Sequence, residues 1–464
     1  MTVCENAELT LTRIAEYDAA LAAVCTVSPA LLDTATRLDT ELAAGRRRSA
    51  LHGRCVLVKD NIDTADMLTT AGSLALATTP PAADAPLTAR LRRAGLVVAG
   101  KSNLSEWANL RDGSSTSGWS AYGGLTRNPY GLNRSAGGSS SGSGAAVAAR
   151  LVPLAIGTET DGSITCPAAF NGCVGLKPTV GLVPSSGIVP ISWSQDAPGP
   201  MALTVADAAE LLSVMAGDGH DYARHAVEGR LARRRIGIPR SKFWGYSPQA
   251  DAAAERAVEL LAAAGAEIVD GTELDSMVDF DSADELLVLL TELRHGLSGY
   301  LATRDGDGPT SLEDVVEFNR QHGDTELAHF GQSLLEAALT SPDVRSTEYL
   351  AARRSCLRAG RGGIDQVLRS NDLDALVTPS YAPAFPIDLV NREAGGDSCT
   401  QPSAMAGYPL LTVPSALVQG LPVAISFWGG AHSEAVLIEV AAAYEAARDA
   451  DQGPLPAPTL PQFV

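Results

Sequence analysis

Short apolar runs alternate with amphipathic segments along this chain, and that alternation limits its fold more than any other feature. Cys55-Val56-Leu57-Val58 reads as a buried strand. Leu87–Ala94 reads as a helix that stops at Gly95 and leads into a second strand, Leu96-Val97-Val98-Ala99. The order returns further on. Thr204 and Asp207 make a T-x-x-D helix start, and that helix stops at Gly217. Arg235–Pro239 is strand-like, and Ser247-Pro248 supplies an N-cap and a first-turn proline for a helix to Ala264. Gly265 then precedes the strand Ala266–Val269. Strands alternating with helices predict an α/β fold around a largely parallel or mixed sheet. Ahead of it, Leu9–Val24 and Pro29–Ala44 carry apolar residues at helical spacing, so residues 1–50 are expected to be helical. Residues 285–370 read as helices without evident chemistry, and the Pro-rich tail Gly453–Val464 as a surface segment.

Composition excludes several classes of function. The chain has 464 residues, 45% of them hydrophobic, a formal net charge of −19 and a pI near 4.8. Gripping phosphates needs clustered Lys and Arg, and Arg46-Arg47-Arg48 and Arg233-Arg234-Arg235 are short solvated runs, so no nucleic-acid partner is expected. Seven scattered cysteines without a CxxC pair fit neither a disulfide framework nor a zinc site. No apolar run is long enough for a membrane span, and MTVCENAELT lacks the basic and apolar regions of a secretory signal. A reduced, cytoplasmic enzyme is the expectation, as monomer or homodimer. Residues 111–145, rich in Gly and Ser, could be a linker; structured segments press on both sides, which favours a working loop.

Two stretches hold candidate chemistry. In Ser135-Ala136-Gly137-Gly138-Ser139-Ser140-Ser141-Gly142-Ser143-Gly144 a flexible backbone runs into a helix start, yet neither nucleotide-binding glycine motif is present. Gly138-x-Ser140-x-Gly142 matches a nucleophile elbow in form only: Asn128–Arg134 before it is loop-like, and the later histidines lie in unremarkable contexts. The second stretch, Leu154–Pro167, carries a strand-like segment into Thr160-Asp161-Gly162-Ser163. A tight backbone there would aim consecutive N–H groups at one point, as an oxyanion hole requires. On residue types alone, a plain strand-end turn is the simpler reading.

With Val58-Lys59-Asp60-Asn61 added, the sequence resembles the amidase signature family. The matching segments are VLVKDNIDT (56–64), GKSNLSEW (100–107), SAGGSSSGSGAAVAA (135–149), GTETDGSITCPAAFNGCVGLKPT (157–179), GPMALTVADAAELL (199–212) and AGYPLLTVPSALVQGLPVAISFWG (406–429). Ser139 and Ser163 stand 24 residues apart, as the family's two catalytic serines do. The resemblance implies the amidase signature fold: a single domain over 1–464 built on one large mixed, mostly parallel twisted sheet with helices on both faces. Residues 51–217 would form the signature core, and 285–370 a variable helical region shaping the substrate pocket. It further implies Ser163 as nucleophile, Ser139 as proton relay behind a cis Gly138–Ser139 bond, and Lys59 as base. The backbone N–H groups of Thr160, Asp161, Gly162 and Ser163 would form the oxyanion hole, with Gly138 and Ser140 in support. No metal or cofactor is implied.

Elementary chemistry agrees with that assignment. A serine hydroxyl is a poor nucleophile until a base takes its proton. Lysine serves only when neutral; it titrates near ~10.4 in water, and burial lowers that by several units. Lys59 directly follows the apolar run 55–58. Taken by itself it would be an ordinary surface lysine. Lys101 and Lys177 read as structural, Glu159 as a loop support, Asp60 and Asp63 as turn braces, and Cys166 as a small buried hydrophobe.

Two positions depart from the family's pattern. Asp161 replaces the first glycine of GGS, placing a carboxyl beside the hole, and the wording TETDGSITCPA resembles the peptide amidase branch, which removes C-terminal amide groups. Thr165 stands where many members have an arginine after GGSI, which argues against the glutamine-hydrolysing component of the tRNA amidotransferases. A small-molecule or peptide amide is the expected substrate; aryl or alkyl amides, esters, carbamates and hydrazides remain open, as does a member that only binds. Trp193, Phe243, Trp244, Phe318, Phe330, Tyr381 and Phe385 are candidates for pocket walls, with core packing as the default for each.

Overall fold

The computed structural model describes residues 1–460 apart from 228, 230, 307 and 395; part of the expected tail, 461–464, lies outside the described residues. Eleven strands among them form one sheet. In chain order they are β1 (Val24–Val27), β2 (Cys55–Lys59), β3 (Val97–Ser102), β4 (Leu154–Glu159), β5 (Val174–Lys177) and β6 (Ala197–Ala202). Then come β7 (Arg235–Ile238), β8 (Glu267–Asp270), β9 (Ala375–Pro379), β10 (Leu410–Val418) and β11 (Leu421–Trp428). Their order across the sheet is β1-β3-β2-β4-β6-β5-β10-β11-β9-β7-β8. The mixed sheet is as expected, but six of its ten pairings are antiparallel. The parallel majority fails in the middle, where β6 runs back between β4 and β5, and β10 and β11 form a hairpin joined at Val418 and Leu421.

Side chains alternate between the faces of a strand, and burial follows that period of two. Val56, Val58 and Ile156 pack with Leu87, Leu91, Leu211, Leu261 and Tyr444, from helices on one face. Cys55, Leu57 and Ala155 pack with Val3, Leu31, Ala145 and Ala168, from helices on the other. Lys59 continues the second series, so its side chain leaves the sheet on the face that carries the helix Ser141–Ala148. All eight residues of that helix are buried; Gly, Ser, Ala and Val are small enough to let it lie against the strands.

The N-terminal fifty residues are not wholly helical. The first helix runs Val3–Leu21, Ala22 turns into the left-handed region, and Val24–Val27 pairs antiparallel with β3 as the sheet's edge strand. Asn128–Arg134 is likewise no plain loop, because Arg127–Asn128 and Gly131–Ser135 form a two-stranded ribbon. The helix starts hold: the hydroxyl of Thr204 accepts from the N–H of Asp207, and that of Ser247 from the N–H of Ala250. No helix among the described residues is long and apolar enough to cross a membrane.

Candidate active site

β2 and β4 lie side by side and parallel, with Val58 opposite Ile156, so their C-terminal ends open at the same edge. Lys59 closes β2 and Glu159 closes β4. The C-terminal ends of parallel strands are the usual place for a ligand in such sheets. Beyond β4 the chain turns through Thr160-Asp161-Gly162-Ser163 into the helix Thr165–Asn171. Glu159 sets that turn: its carboxylate accepts from the N–H groups of Ile164 (2.7 Å) and Thr165 (2.8 Å), and from the Thr165 hydroxyl. Gly162 has φ +78°, and the hydroxyl of Tyr381 occupies the space a β-carbon there would need. The glycine is required on both counts.

The Gly/Ser loop meets this turn from the side. The Gly138–Ser139 peptide is cis. The N–H of Ser140 donates to the carbonyl of Ser163 at 3.0 Å, which ties the loop that carries Ser139 to the turn that carries Ser163. Ser140 also grips β4, its hydroxyl donating to the Thr158 carbonyl and accepting from the Thr158 N–H, each at 3.1 Å. That approach needs Gly157, where a β-carbon would come within 2.7 Å of the Ser140 oxygen.

Lys59 is buried with its amine on three oxygens: Ser139 Oγ at 2.8 Å, Thr158 Oγ1 at 2.9 Å and the Thr158 carbonyl at 3.1 Å. Burial pulls its pKa down to about 7, against the opposing fields of Asp196 and Glu159. Neither carboxylate touches the amine. Asp196 is engaged with the Thr160 hydroxyl (2.7 Å) and the N–H groups of Ile191 and Ser192, and burial raises its own pKa to about 6. A buried lysine with a pKa near 7, hydrogen-bonded to a serine, can accept a proton and return it.

Lys101 and Lys177, read as structural in the sequence, are buried nearby. Lys101 is spent on the carbonyls of Ile62 and Leu68, the Thr69 hydroxyl and the Asp60 carboxylate. Lys177 lies buried near Glu159, Glu434 and Asp161, its pKa lowered by burial to about 8. Asp60 also accepts from the Thr70 N–H, and Asp63 from the Tyr300 hydroxyl at 2.7 Å, so both brace the segment after Lys59. Cys166 is half-buried rather than fully buried, and the packing around its sulfur drives the thiol far up, which disfavours the nucleophilic thiolate.

The surroundings of the Asp161 carboxyl, Glu285 above all, escaped the sequence reading. Burial and the neighbouring Glu285 push the carboxyl of Asp161 well above the usual range, and its Oδ1 is buried without a partner. Glu285 accepts from Gln195 and Gln401, each at 2.8 Å. The helix Ser282–Leu301 is thus not chemically anonymous: Glu285 and Glu292 both tie it to residues 192–195. Of the seven candidate wall aromatics, Trp193 lines a pocket with Asn61, Thr158 and Thr160, and Tyr381 packs over Gly162 against Phe170, which Phe385 also meets edge-on. Phe243 packs on Trp428, Trp244 lies under Arg240, Phe318 stacks on His322, and Phe330 packs on Trp119.

Comparisons with known proteins converge. The amidase family model matches residues 5–438. The chain is 44% identical to a peptide amidase crystallised with the competitive inhibitor chymostatin, with a TM-score of 0.94 over 98% of this chain and 96% of that one. It is 34% identical to a probable amidase of Arabidopsis thaliana, over 96% of this chain and 87% of that protein. It is 38% identical to a glutamyl-tRNA(Gln) amidotransferase subunit from Mycobacterium ulcerans, over 92% of this chain and 89% of that protein. The chain belongs to the amidase family and is an amide-hydrolysing enzyme.

Proposed function

We propose that this amidase cleaves C-terminal peptide amides through Ser163, Ser139 and Lys59. Ser163 attacks the amide carbonyl as its proton passes through Ser139 to neutral Lys59. The backbone N–H groups of Thr160, Asp161, Gly162 and Ser163 receive the oxyanion. The proton returns by Ser139 to the leaving nitrogen, ammonia departs, and water hydrolyses the acyl-enzyme by the same relay. One observation carries this reading: the Lys59 amine sits 2.8 Å from the Ser139 hydroxyl in a buried site that holds its pKa near 7.

The likeness to the chymostatin-bound peptide amidase supports the substrate class. The likeness to the amidotransferase proteins suggests glutamine instead, but the position after Ile164 speaks against it. Thr165 is buried, and its hydroxyl is bound to Glu159, so it offers nothing to a substrate carboxylate. The test is ammonia release by the purified chain on N-acyl amino acid amides, free glutamine and simple alkyl amides, with Ser163→Ala alongside. Release from the peptide amides by the wild type, and loss of about 10⁴-fold or more in the variant, is expected. Preference for glutamine, or no release from peptide amides, overturns the substrate assignment.

A further inference from the structure

Proton placement on Lys59 is the step that the distances define most closely. A charged amine donates three hydrogen bonds, whereas a neutral one has two N–H groups and one lone pair. Lys59 has three oxygen partners. One of them, the Thr158 carbonyl, can only accept, so it takes one N–H. The second N–H and the lone pair fall to the hydroxyls of Thr158 and Ser139. Only one division lets Ser139 pass a proton to nitrogen: Thr158 accepts, and Ser139 donates.

The surroundings of Thr158 hold its side chain for that division. The Asn61 amide donates to Thr158 Oγ1 at 3.0 Å, and Asn61 is itself buried. The Thr158 backbone is clamped at both its N–H and its carbonyl by Ser140, the residue next to Ser139. Base and relay are therefore referenced to one threonine. We propose that Thr158, held by Asn61, is a positioning residue that takes both N–H groups of neutral Lys59 and so turns the lone pair onto Ser139. This rests on Lys59 being the base.

The charged groups facing the Lys59 amine are Glu159 at the end of β4 and Asp196 just before β6; Asp60 and Lys101 form an ion pair beside the same strand. None of these changes when the Thr158 hydroxyl is removed. A hydrogen bond accepted from the charged amine favours the charged form. Deleting that acceptor lowers the pH at which Lys59 loses its proton, while the loss of orientation lowers the rate.

The test is ammonia release from an N-acyl amino acid amide between pH 5 and 9 by wild type, Thr158→Val, Thr158→Ser and Lys59→Ala. Thr158→Val is expected to lose about tenfold or more in plateau kcat with little change in KM. Its acidic limb is expected to move down by about one pH unit, and Thr158→Ser to restore both. A wild-type profile in Thr158→Val overturns the proposal. So does a raised plateau, which would mean that the Thr158 hydroxyl had been donating to the lone pair. Wild-type turnover by Lys59→Ala overturns the base assignment, and this inference with it; an inactive Lys59→Ala beside an unaffected Thr158→Val overturns the inference alone. Should Thr158→Val not fold, Asn61→Ala carries the test: a lowered plateau is expected, and a wild-type plateau contradicts it.

Discussion

The amine of Lys59 lies 2.8 Å from the hydroxyl of Ser139, 80 residues further along the chain, and neither side chain is exposed. Lysine pairs with serine hydroxyls on many protein surfaces to no chemical effect. Burial makes this pair different, because it removes the solvation that would hold the amine charged.

The first prediction is a pH profile. Lys59, as the proposed base, can take a proton only when neutral, and burial lowers its pKa to about 7. Activity should therefore be present above that pH and fall as pH drops through it, since the amine then binds a proton. With kcat/KM measured from pH 5 to 9, the acidic limb should fall about tenfold per pH unit below a midpoint near 7. A flat profile down to pH 5 would remove Lys59 from the base role.

Gly157→Ala tests the contact that joins the Gly/Ser loop to β4. A β-carbon there would stand 2.7 Å from Ser140 Oγ and 3.0 Å from Ile164 Cγ1. The loop must retreat, carrying Ser139 away from Lys59. We expect a stability loss of about 1–3 kcal/mol, with kcat falling by about 10²-fold for a displacement near 1 Å. Denaturant midpoints and steady-state kinetics read the two separately.

Arg111→Met tests a structural cation away from the chemistry. Arg111 is fully buried. It donates to Glu106 at 2.6 Å and to the carbonyls of Gly331 and Phe330 at 3.1 Å, while its guanidinium lies over the Phe330 ring. Removing it leaves the buried Glu106 carboxyl with the Ala121 N–H as its remaining partner, so a loss of about 3–5 kcal/mol is expected in urea unfolding. A loss below ~1 kcal/mol would mean that the network contributes little.

The parts of this site legible in the sequence were those written in contiguous segments. Lys59 follows an apolar strand, and Ser139 and Ser163 stand in distinctive Gly-rich wording; the structure places all three at one edge of the sheet. Thr158 was not legible as a partner of Lys59, because its role depends on β2 and β4 being neighbours. Glu285 lies over a hundred residues from Asp161 and carries no local signal at all. β1 was lost for a different reason: four residues after a helix continue its apolar spacing, and only pairing with β3 makes them a strand. The antiparallel centre was hidden in the same way, since strand direction is set by connections that local periodicity does not encode.

The most direct test of the central claim is to label the enzyme with a fluorophosphonate, which reacts with an activated serine, and to locate the adduct by peptide mass mapping. We predict a single adduct on Ser163, absent in Ser163→Ala and formed much more slowly in Lys59→Ala. An adduct on Ser139 or another residue, or undiminished labelling of Lys59→Ala, would contradict the mechanism.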